Sequence, residues 1–369
     1  MRPLSFGFGQ SVTRKEDEAL IRGRGRYVAD IAVEGALQAV VLRSPHAHAR
    51  FRIADVVEAR AMPGVHLVLT GDDIAAYGNL PCAGAPPGVS LEPPEYPLLA
   101  RRKVHHVGDA VAFIVADTLD RARDAAEAIA IEWDALAPAV DAERAIEKGA
   151  PTIWPQAPGN IAFTTELGDR RKTEAAFAKA AKVVELKLVN QRLVTNYLDT
   201  RGALAEYDAA ADHVTLTVPS QGTHLIREVL CDAVLRMPAE KMRVITPDVG
   251  GGFGTKFFPY REYALAVIAA KTLKRPVRWV ADRMDHFLAD TQGRDNITTA
   301  RLAVDASGRF LALDVDTLAD MGAYLSLFAP YIPVLGAEML PGLYDVPAAH
   351  VRIRGVYTNT VPVDAYRGA

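Results

Sequence analysis

The part of this 369-residue chain with the clearest chemical potential is the glycine-rich run 249–256. It contains Gly250, Gly251 and Gly252, then Phe253, then Gly254. Glycine permits positive φ angles and lets a ligand approach the backbone amides closely. Free amides at the start of a helix favour an anion or a strong oxygen acceptor. The run is therefore a candidate cofactor-binding loop, and a simple tight turn is the alternative.

The common nucleotide-binding templates do not fit this loop. A phosphate-binding loop needs Gly-Lys followed by Ser or Thr, whereas Thr255 separates Gly254 from Lys256 here. The dinucleotide template Gly-x-Gly-x-x-Gly needs a third glycine at Phe257. The same template also fails at 7–9 and 23–25. Any ligand of this loop is therefore something other than a simple nucleotide phosphate.

Local patterning predicts that the loop joins a strand to a helix. Residues 242–246 form a short apolar run, and apolar residues recur at helical spacing on one face from Pro259 onward. A second such junction follows the alternating strand 213–218 and contains Gln221. Crevices outside neighbouring strand ends are common ligand sites. If the sheet sets the two junctions side by side, the Gln221 amide and the loop amides converge. The alternative is a helix-start glutamine that bonds local backbone.

Composition and charge limit the class of protein. Half of the residues are apolar and 24% are charged, as in a globular protein, and the net charge of −3 gives no basic footprint for nucleic acid. No apolar run reaches membrane-spanning length and no signal segment is recognised, so we expect a cytoplasmic protein. Cys82 and Cys231 are too few for an iron–sulfur cluster, and the histidines are too scattered for a metal cluster.

The element pattern predicts an α+β protein with two domains. The first covers residues 1–140 and includes an irregular arm to residue 26; a proline-rich linker covers 141–165, and the second domain covers 166–369. Expected elements are strands at 36–42, 51–53, 65–70, 110–116 and 183–189, helices at 120–130, 141–148, 173–181 and 225–234, a hairpin at 301–315, and a surface loop at 80–99.

Seven ordered segments, which span nearly all of the chain, lie at 25–31, 42–49, 107–112, 190–192, 220–221, 247–256 and 365–369. Together they resemble the molybdopterin-binding large subunit of the xanthine dehydrogenase and aldehyde oxidase family. The resemblance implies an α/β hammerhead domain followed by the first part of a molybdenum-cofactor-binding domain. It also implies hydroxylation of an aldehyde or N-heterocycle with water as the oxygen source. The metal would be held by molybdopterin and by no protein side chain.

The same resemblance assigns roles to individual residues. Gln221 would hydrogen-bond an oxygen of the molybdenum centre. The Phe253 backbone would help to bind the cofactor, and Phe253 would also line the substrate funnel. Arg367 would place a cation beside the metal. The remaining cofactor-binding positions would be Gly251, Gly252, Gly254 and Gly368.

Three departures from the family pattern qualify this assignment. Family subunits are much longer, and the segment with the catalytic glutamate lies beyond Ala369, so we expect this chain alone to be inactive as a hydroxylase; Glu262, on a predicted helix, is not a substitute. Gly368 stands where carbon monoxide dehydrogenases of this family carry a cysteine that binds copper, which disfavours CO oxidation. Tyr197 and Asp199 replace the usual residues of a pocket-shaping loop and leave the substrate open.

Partners follow from what the chain lacks. The resemblance implies an iron–sulfur (2Fe-2S) subunit, an FAD subunit, and a chain that supplies the missing half with the glutamate. An exposed apolar face should mark where that half packs. The cofactor could carry a cytosine dinucleotide extension, which the sequence leaves open. The competing interpretations are a truncated, inactive paralogue and a cofactor-handling protein.

Overall fold

A computed structural model of the chain describes residues 9 and 11–368. Most of the motif at 7–9, the first part of the expected arm and Ala369 lie outside the described residues. The described part of the arm includes one short helix, α1 (Asp17–Ile21). Within the described residues, every helix is too short or too polar to cross a membrane.

Strands and helices alternate irregularly along the chain. The strands are β1 (Leu37–Arg43), β2 (Ala49–Asp55), β3 (Val65–Thr70), β4 (Lys103–Val104), β5 (Ala110–Ala116), β6 (Ala130–Ala135), β7 (Ile161–Gly168), β8 (Lys182–Asn190), β9 (Gly202–Asp208), β10 (His213–Thr217), β11 (Met242–Ile245), β12 (Val277–Val280), β13 (Asn296–Val304), β14 (Phe310–Gly322) and β15 (Ala349–Tyr357). The further helices are α2 (Val57–Ala61), α3 (Leu119–Glu127), α4 (Ala142–Ala145), α5 (Arg170–Phe177), α6 (Thr223–Val229), α7 (Arg261–Leu273), α8 (Arg283–Ala289) and α9 (Tyr331–Glu338). A π-helical turn, Leu230–Leu235, extends α6, and 3-10 turns cover Pro158–Asn160, Ala239–Lys241 and Thr255–Phe257.

The strands form three sheets. The largest has seven strands in the order β11-β10-β9-β12-β1-β5-β3; the others have the orders β7-β15-β14-β13-β8 and β4-β2-β6. The seven-stranded sheet combines strands from both halves of the chain, because β1 pairs in parallel with β12, with Leu37 opposite Val277. The mixed strand and helix content confirms the predicted α+β class.

Helix α7 is buried on all sides rather than on one. Every residue from Arg261 to Ala270 is buried, including the charged first turn. The expectation of a single apolar face is therefore wrong in extent. Burial of the charged turn is possible because Arg261 pairs with Asp109 at 2.5 Å and Glu262 pairs with two arginines.

The segment 80–99 has no regular structure, as predicted, but it is not simply a surface loop. Leu80, Leu98 and Leu99 are buried in the main core, and the ring of Tyr96 stacks on Tyr324 with centroids 4.4 Å apart. Prolines prevent a regular element here, while the apolar ends of the segment still gain from burial.

The two strand-to-helix junctions lie side by side in the largest sheet. Strands β10 and β11 are adjacent and parallel, with Thr217 opposite Ile245, so both end at the same edge. Helix α6 begins after Gly222, and α7 begins after Tyr260. The sheet therefore sets the two junctions side by side, which is the arrangement that the convergence of Gln221 with the glycine loop requires.

Candidate functional site

Gln221 and the glycine loop are in direct contact. The side-chain Oε1 of Gln221 accepts a hydrogen bond from the Gly254 amide at 2.8 Å. The main-chain amide of Gln221 donates to the main-chain carbonyl of Lys256 at 3.0 Å. Gln221 therefore bonds backbone that is distant in sequence, and not the local backbone of its own helix start. Since Oε1 is engaged, the side-chain NH2 group remains as the donor.

The loop depends on glycine at specific positions. Gly251 and Gly254 have φ angles of +99° and +100°, which L-residues with side chains rarely adopt. Gly252 has an ordinary φ, but a Cβ there would lie 2.5 Å from Gln221 Oε1. Phe253 itself has φ +51°, which is uncommon for a residue with a side chain. The loop is thus shaped for close approach of Gln221 and stores backbone strain.

Three consecutive amides of the loop are free to bind a ligand. Within the described residues, the N–H groups of Gly251, Gly252 and Phe253 donate no hydrogen bond, whereas those of Gly250 and Gly254 do. Successive free amides in a tight loop make a concave site for an anion or an oxygen-rich group. A cofactor that presents several oxygen atoms fits these donors.

Arg367 lies on a second loop that touches the first. Its amide donates to the Phe253 carbonyl at 2.8 Å, and a Cβ at Gly254 would lie 2.7 Å from the Ala365 carbonyl oxygen. Arg367 and Gly368 are exposed and both have positive φ, +49° and +103°. We call Gln221, residues 250–254 and residues 365–368 the cradle.

A buried carboxyl supports the second loop of the cradle. Asp364 accepts hydrogen bonds from the amides of Ala365 at 2.8 Å and Phe328 at 3.1 Å. Burial raises the pKa of Asp364 to about 6, although these hydrogen bonds act in the opposite direction. Its titration should therefore affect the loop that carries Arg367.

The segment that contains Tyr197 and Asp199 lies behind the glycine loop. Tyr197 is buried and its hydroxyl donates to Asp290. Asp199 accepts from the Gly250 amide at 3.0 Å. The side chain between them, Leu198, is 91% exposed. Tyr197 and Asp199, which depart from the family pattern, thus contact the rest of the protein, whereas Leu198 between them is exposed.

Glu262 belongs to a buried ion network and has no free carboxylate oxygen. Arg43 lies 2.8 Å from one of its oxygens and Arg201 lies 3.0 Å from the other. Burial acts to raise its pKa, but the two guanidinium groups outweigh burial and hold the pKa well below the ordinary value. Glu262 is therefore ionised and engaged, which agrees with its rejection as a general base.

Two histidines of the first domain, His105 and His106, are buried. His105 stacks on Trp154 with ring centroids 3.8 Å apart, and burial lowers the pKa of His105 to about 3 and that of His106 to about 4. Among the described residues, no group of three His, Cys, Asp or Glu side chains could hold a metal ion. Cys231 is buried beside Met242, and Cys82 is partly buried.

A separate cavity of about 370 Å³ lies between α5 and the five-stranded sheet. None of the cradle residues lines it. Its charged groups are already paired with one another, such as Arg170 with Glu174 at 2.9 Å. This cavity is therefore separate from the cradle, which remains the candidate site.

The described structure contains the exposed apolar face that the sequence led us to expect. All nine residues of β8, the edge strand of the five-stranded sheet, are exposed. Val184, Leu186 and Leu188 alternate along one face of the strand and are 47%, 56% and 48% exposed. An apolar edge strand of this kind is a typical place for another polypeptide to pack.

Comparison with known families now identifies the class of protein. Residues 22–137 match the a/b hammerhead domain of aldehyde oxidase and xanthine dehydrogenase, and residues 153–369 match the molybdopterin cofactor-binding domain. The second match covers more than half of the chain. The chain therefore belongs to the molybdopterin-binding family of xanthine dehydrogenases and aldehyde oxidases, as its motifs predicted.

Individual relatives cover nearly the whole chain. The nicotine 6-hydroxylase large subunit of Paenarthrobacter nicotinovorans is 36% identical over 98% of this chain and 44% of its own length. The carbon monoxide dehydrogenase large chain of Hydrogenophaga pseudoflava is 35% identical over 94% of this chain and 44% of its own. The chain thus spans less than half the length of these relatives.

Two further comparisons concern fold and length. The crystal structure of quinoline 2-oxidoreductase from Pseudomonas putida 86 superposes with a TM-score of 0.90 at 36% identity, over 97% of this chain and 45% of that chain. The nicotinate dehydrogenase large molybdopterin subunit of Eubacterium barkeri is 29% identical over 98% of this chain and 81% of its own length. The predicted fold, a hammerhead domain followed by a cofactor-binding domain, is confirmed.

Sequence reasoning missed two parts of the site. The first is the contact of Asp199 and Lys256 behind the glycine loop, and the second is the support that Asp364 gives to the Arg367 loop. Asp364 directly precedes the Ala-Tyr-Arg motif, so its position was a usable signal. The pairing of Asp199 with Lys256 joins residues 57 positions apart and had no local signal.

Proposed function

We propose that this chain provides the cofactor-binding part of a molybdenum hydroxylase that oxidises an aldehyde or an N-heterocycle with water as the oxygen donor. The observation that carries the proposal is the cradle, in which the free amides of Gly251, Gly252 and Phe253 lie beside the Gln221 carboxamide and the Arg367 loop. Membership of the family supports molybdopterin as the ligand of these donors.

Each cradle residue has a role that its position supports. The bound molybdenum cofactor supplies two-electron oxidation of a substrate carbon. The amides of 251–253 bind oxygen atoms of the cofactor, and the NH2 group of Gln221 donates to another. The ring of Phe253, 44% exposed, lines the substrate approach. Arg367 places a fixed positive charge where negative charge develops, and Gly254 and Gly368 set the turns of the two loops.

The catalytic base comes from outside the described residues in this proposal. A general base must lie within hydrogen-bond reach of the proton that it removes. Glu262 is held by Arg43 and Arg201, and Asp199 is engaged by Gly250 and Lys256. We propose that the glutamate comes from the remaining part of the cofactor-binding domain, which packs against β8.

Electron transfer requires further subunits in this proposal. Cys82 and Cys231 are two isolated thiols, so the 2Fe-2S clusters would lie on an iron–sulfur subunit and the FAD on a flavin subunit. We propose a cytoplasmic complex, with the cytosine dinucleotide form of the cofactor as one option. Gly368 in place of a copper-binding cysteine favours carbon hydroxylation over CO oxidation.

One observation favours a second candidate, a cofactor-handling protein. The cradle residues contact one another while the carboxylates of Asp199 and Glu262 are engaged, which suits binding without turnover. The intact contact between Gln221 and Gly254 argues against the third interpretation, a decayed paralogue without a cofactor site.

Metal content separates these candidates. The chain should be purified alone and with candidate partner chains from a host that makes molybdopterin, and molybdenum, pterin and activity towards aldehydes and aza-aromatics measured. Molybdenum and activity only in the complex support the hydroxylase. Molybdenum in the isolated chain without activity in any complex supports the handling protein, and none in either supports the decayed paralogue.

Paired variants test the site itself. Gln221→Ala removes the contact with Gly254, and Gly252→Ala places a Cβ against Gln221, whereas Gly336→Ala adds a Cβ in open space. We expect the first two to lower molybdenum occupancy several-fold and the third to leave it unchanged. Full occupancy in both cradle variants would remove the site assignment.

A further inference from the structure

The geometry points to a positioning role for the ion pair between Asp199 and Lys256, which we propose holds the glycine loop in its ligand-binding shape. The ligand's identity rests on the proposed function, whereas the effect on loop shape does not. Asp199 contacts the cradle at the Gly250 amide, and Lys256 contacts it at the main-chain amide of Gln221.

Asp199 and Lys256 tie the two ends of the loop to one point. Asp199 Oδ2 accepts from the Gly250 amide at 3.0 Å and from Lys256 Nζ at 2.8 Å. Lys256 Nζ also donates to the Asp199 main-chain carbonyl, and the Asp199 amide donates to the Gly250 carbonyl at 3.3 Å. The residues between the two anchors include all three free amides.

Lys256 also connects the loop to Gln221. Its main-chain carbonyl accepts a hydrogen bond from the main-chain amide of Gln221 at 3.0 Å, while its side chain donates to Asp199. A shift of Lys256 would therefore move the Gln221 carboxamide relative to Gly254. Lys256 thus adds a link between the two strand-to-helix junctions, beyond the pairing of β10 with β11.

Because this ion pair is buried, both charges are desolvated, and loss of either partner should lower the stability of the fold. The Lys256 side chain is fully buried and that of Asp199 is 14% exposed. Desolvation lowers the pKa of Lys256, and Asp199 partly offsets this effect. The ammonium lies 4.4 Å from the centre of the Tyr197 ring, which adds a cation–π contact. Loss of one partner leaves the other buried without its counter-charge.

Backbone strain in the glycine loop favours a change of loop shape, and the ion pair opposes that change. Phe253 has φ +51°, a conformation that a side-chain-bearing residue leaves when it is free to do so. A loop released at one end would relax and turn its amides towards water or other acceptors. The pair therefore preserves the arrangement of free amides that the cofactor requires.

Two variants test the role by hydrogen–deuterium exchange of the intact chain. Lys256→Met keeps an unbranched side chain in the core without its charge, and Asp199→Asn keeps a carbonyl acceptor without the negative charge. The control is Arg52→Met, which breaks an exposed ion pair with Glu132 at the surface. In the peptide 248–258, we expect at least about tenfold faster exchange of the hydrogen-bonded amides of Gly250, Gly254, Thr255 and Phe257 in both variants, unchanged exchange in β5, and no effect of the control.

Molybdenum content of the complex provides a second readout. Faster loop exchange together with several-fold lower molybdenum supports the proposal. Unchanged loop exchange in both variants overturns it, as does faster exchange with full molybdenum content. If the unaltered complex binds no molybdenum, the proposed function fails, and loop exchange alone still decides whether the pair holds the loop. If Lys256→Met does not fold, Asp199→Asn gives the same decision.

Discussion

The Oε1 atom of Gln221 and the amide of Gly254 form a 2.8 Å hydrogen bond across 33 residues of sequence. This bond joins the ends of two adjacent parallel strands and fixes the orientation of the Gln221 carboxamide. Because the oxygen is engaged, the NH2 group is the part that can meet a ligand. The bond therefore defines both the shape and the donor pattern of the cradle.

Loss of this bond should have a small effect on stability. Gln221 is exposed, so we expect Gln221→Leu to lower the unfolding free energy by only about 0.5–1.5 kcal/mol. Urea denaturation measures the change. Gln156→Leu, at another exposed glutamine, is the control and should change stability less. Equal effects of the two substitutions would show that the bond does not stabilise the fold.

Gly254→Ala should be more damaging than a comparable change elsewhere. The new Cβ combines an unfavourable φ of +100° with a position 2.7 Å from the Ala365 carbonyl oxygen. We expect a loss of about 1–3 kcal/mol for the backbone strain, with the steric overlap added to it. Gly308→Ala has φ +86° but no neighbour within 4 Å, so it isolates the effect of φ. Thermal unfolding of both variants should show the larger loss at Gly254.

The buried ion network predicts a large effect for Glu262→Gln. Arg43 and Arg201 would then share a neutral partner in the core, and we expect a loss of about 3–5 kcal/mol. Glu132→Gln, at an exposed pair with Arg52, should cost about 1 kcal/mol or less. Chemical denaturation at pH 7 makes the comparison. Similar losses for the two variants would contradict the importance assigned to burial.

The same network should weaken in acid. The pKa of Glu262 is lower in the folded chain than in the unfolded chain, so its contribution to stability is present above the ordinary glutamate value and is lost as the pH falls below it. Unfolding free energy measured from pH 5 down to pH 3 should therefore fall less steeply in Glu262→Gln than in the unaltered chain.

Asp364 should give the opposite pH dependence. Its folded pKa of about 6 lies above the ordinary 3.8, so the stability that it contributes is present below 3.8 and is lost as the pH rises through 6. The shift corresponds to up to about 3 kcal/mol. Asp364→Asn should flatten the dependence between pH 4 and pH 7 in part, because Asp320 also has a pKa raised to about 6 by burial. An unchanged profile in melting experiments would contradict the shift.

The exposed face of β8 predicts self-association of the isolated chain. Replacing Leu186 and Leu188 with glutamate should lower association at little cost in stability, because both side chains are about half exposed. Sedimentation analysis of the chain measures the change. Val57→Glu, at an isolated exposed valine, should leave association unchanged. In the proposed complex, the β8 variant should also bind its partner chain less tightly.

Local patterns were sufficient where one element determined its own structure. Strands β3 and β5 were predicted with their observed limits, because runs of apolar and β-branched residues favour a strand without reference to the rest of the chain. The position of helix α7 was predicted, but its burial on all sides was not. Its charged first turn becomes buried only because Asp109, Arg43 and Arg201 arrive from distant segments.

The sequence by itself determined the family, the α+β class and the glycine loop with its neighbouring Gln221, because these depend on ordered motifs and on residue types that permit few backbone shapes. Only the tertiary structure decided that Tyr197 turns inward, that Leu198 is exposed and that Asp199 and Lys256 tie the loop from behind. Those features depend on contacts between residues far apart in sequence. Such contacts leave no local pattern, since each partner alone is compatible with an exposed position.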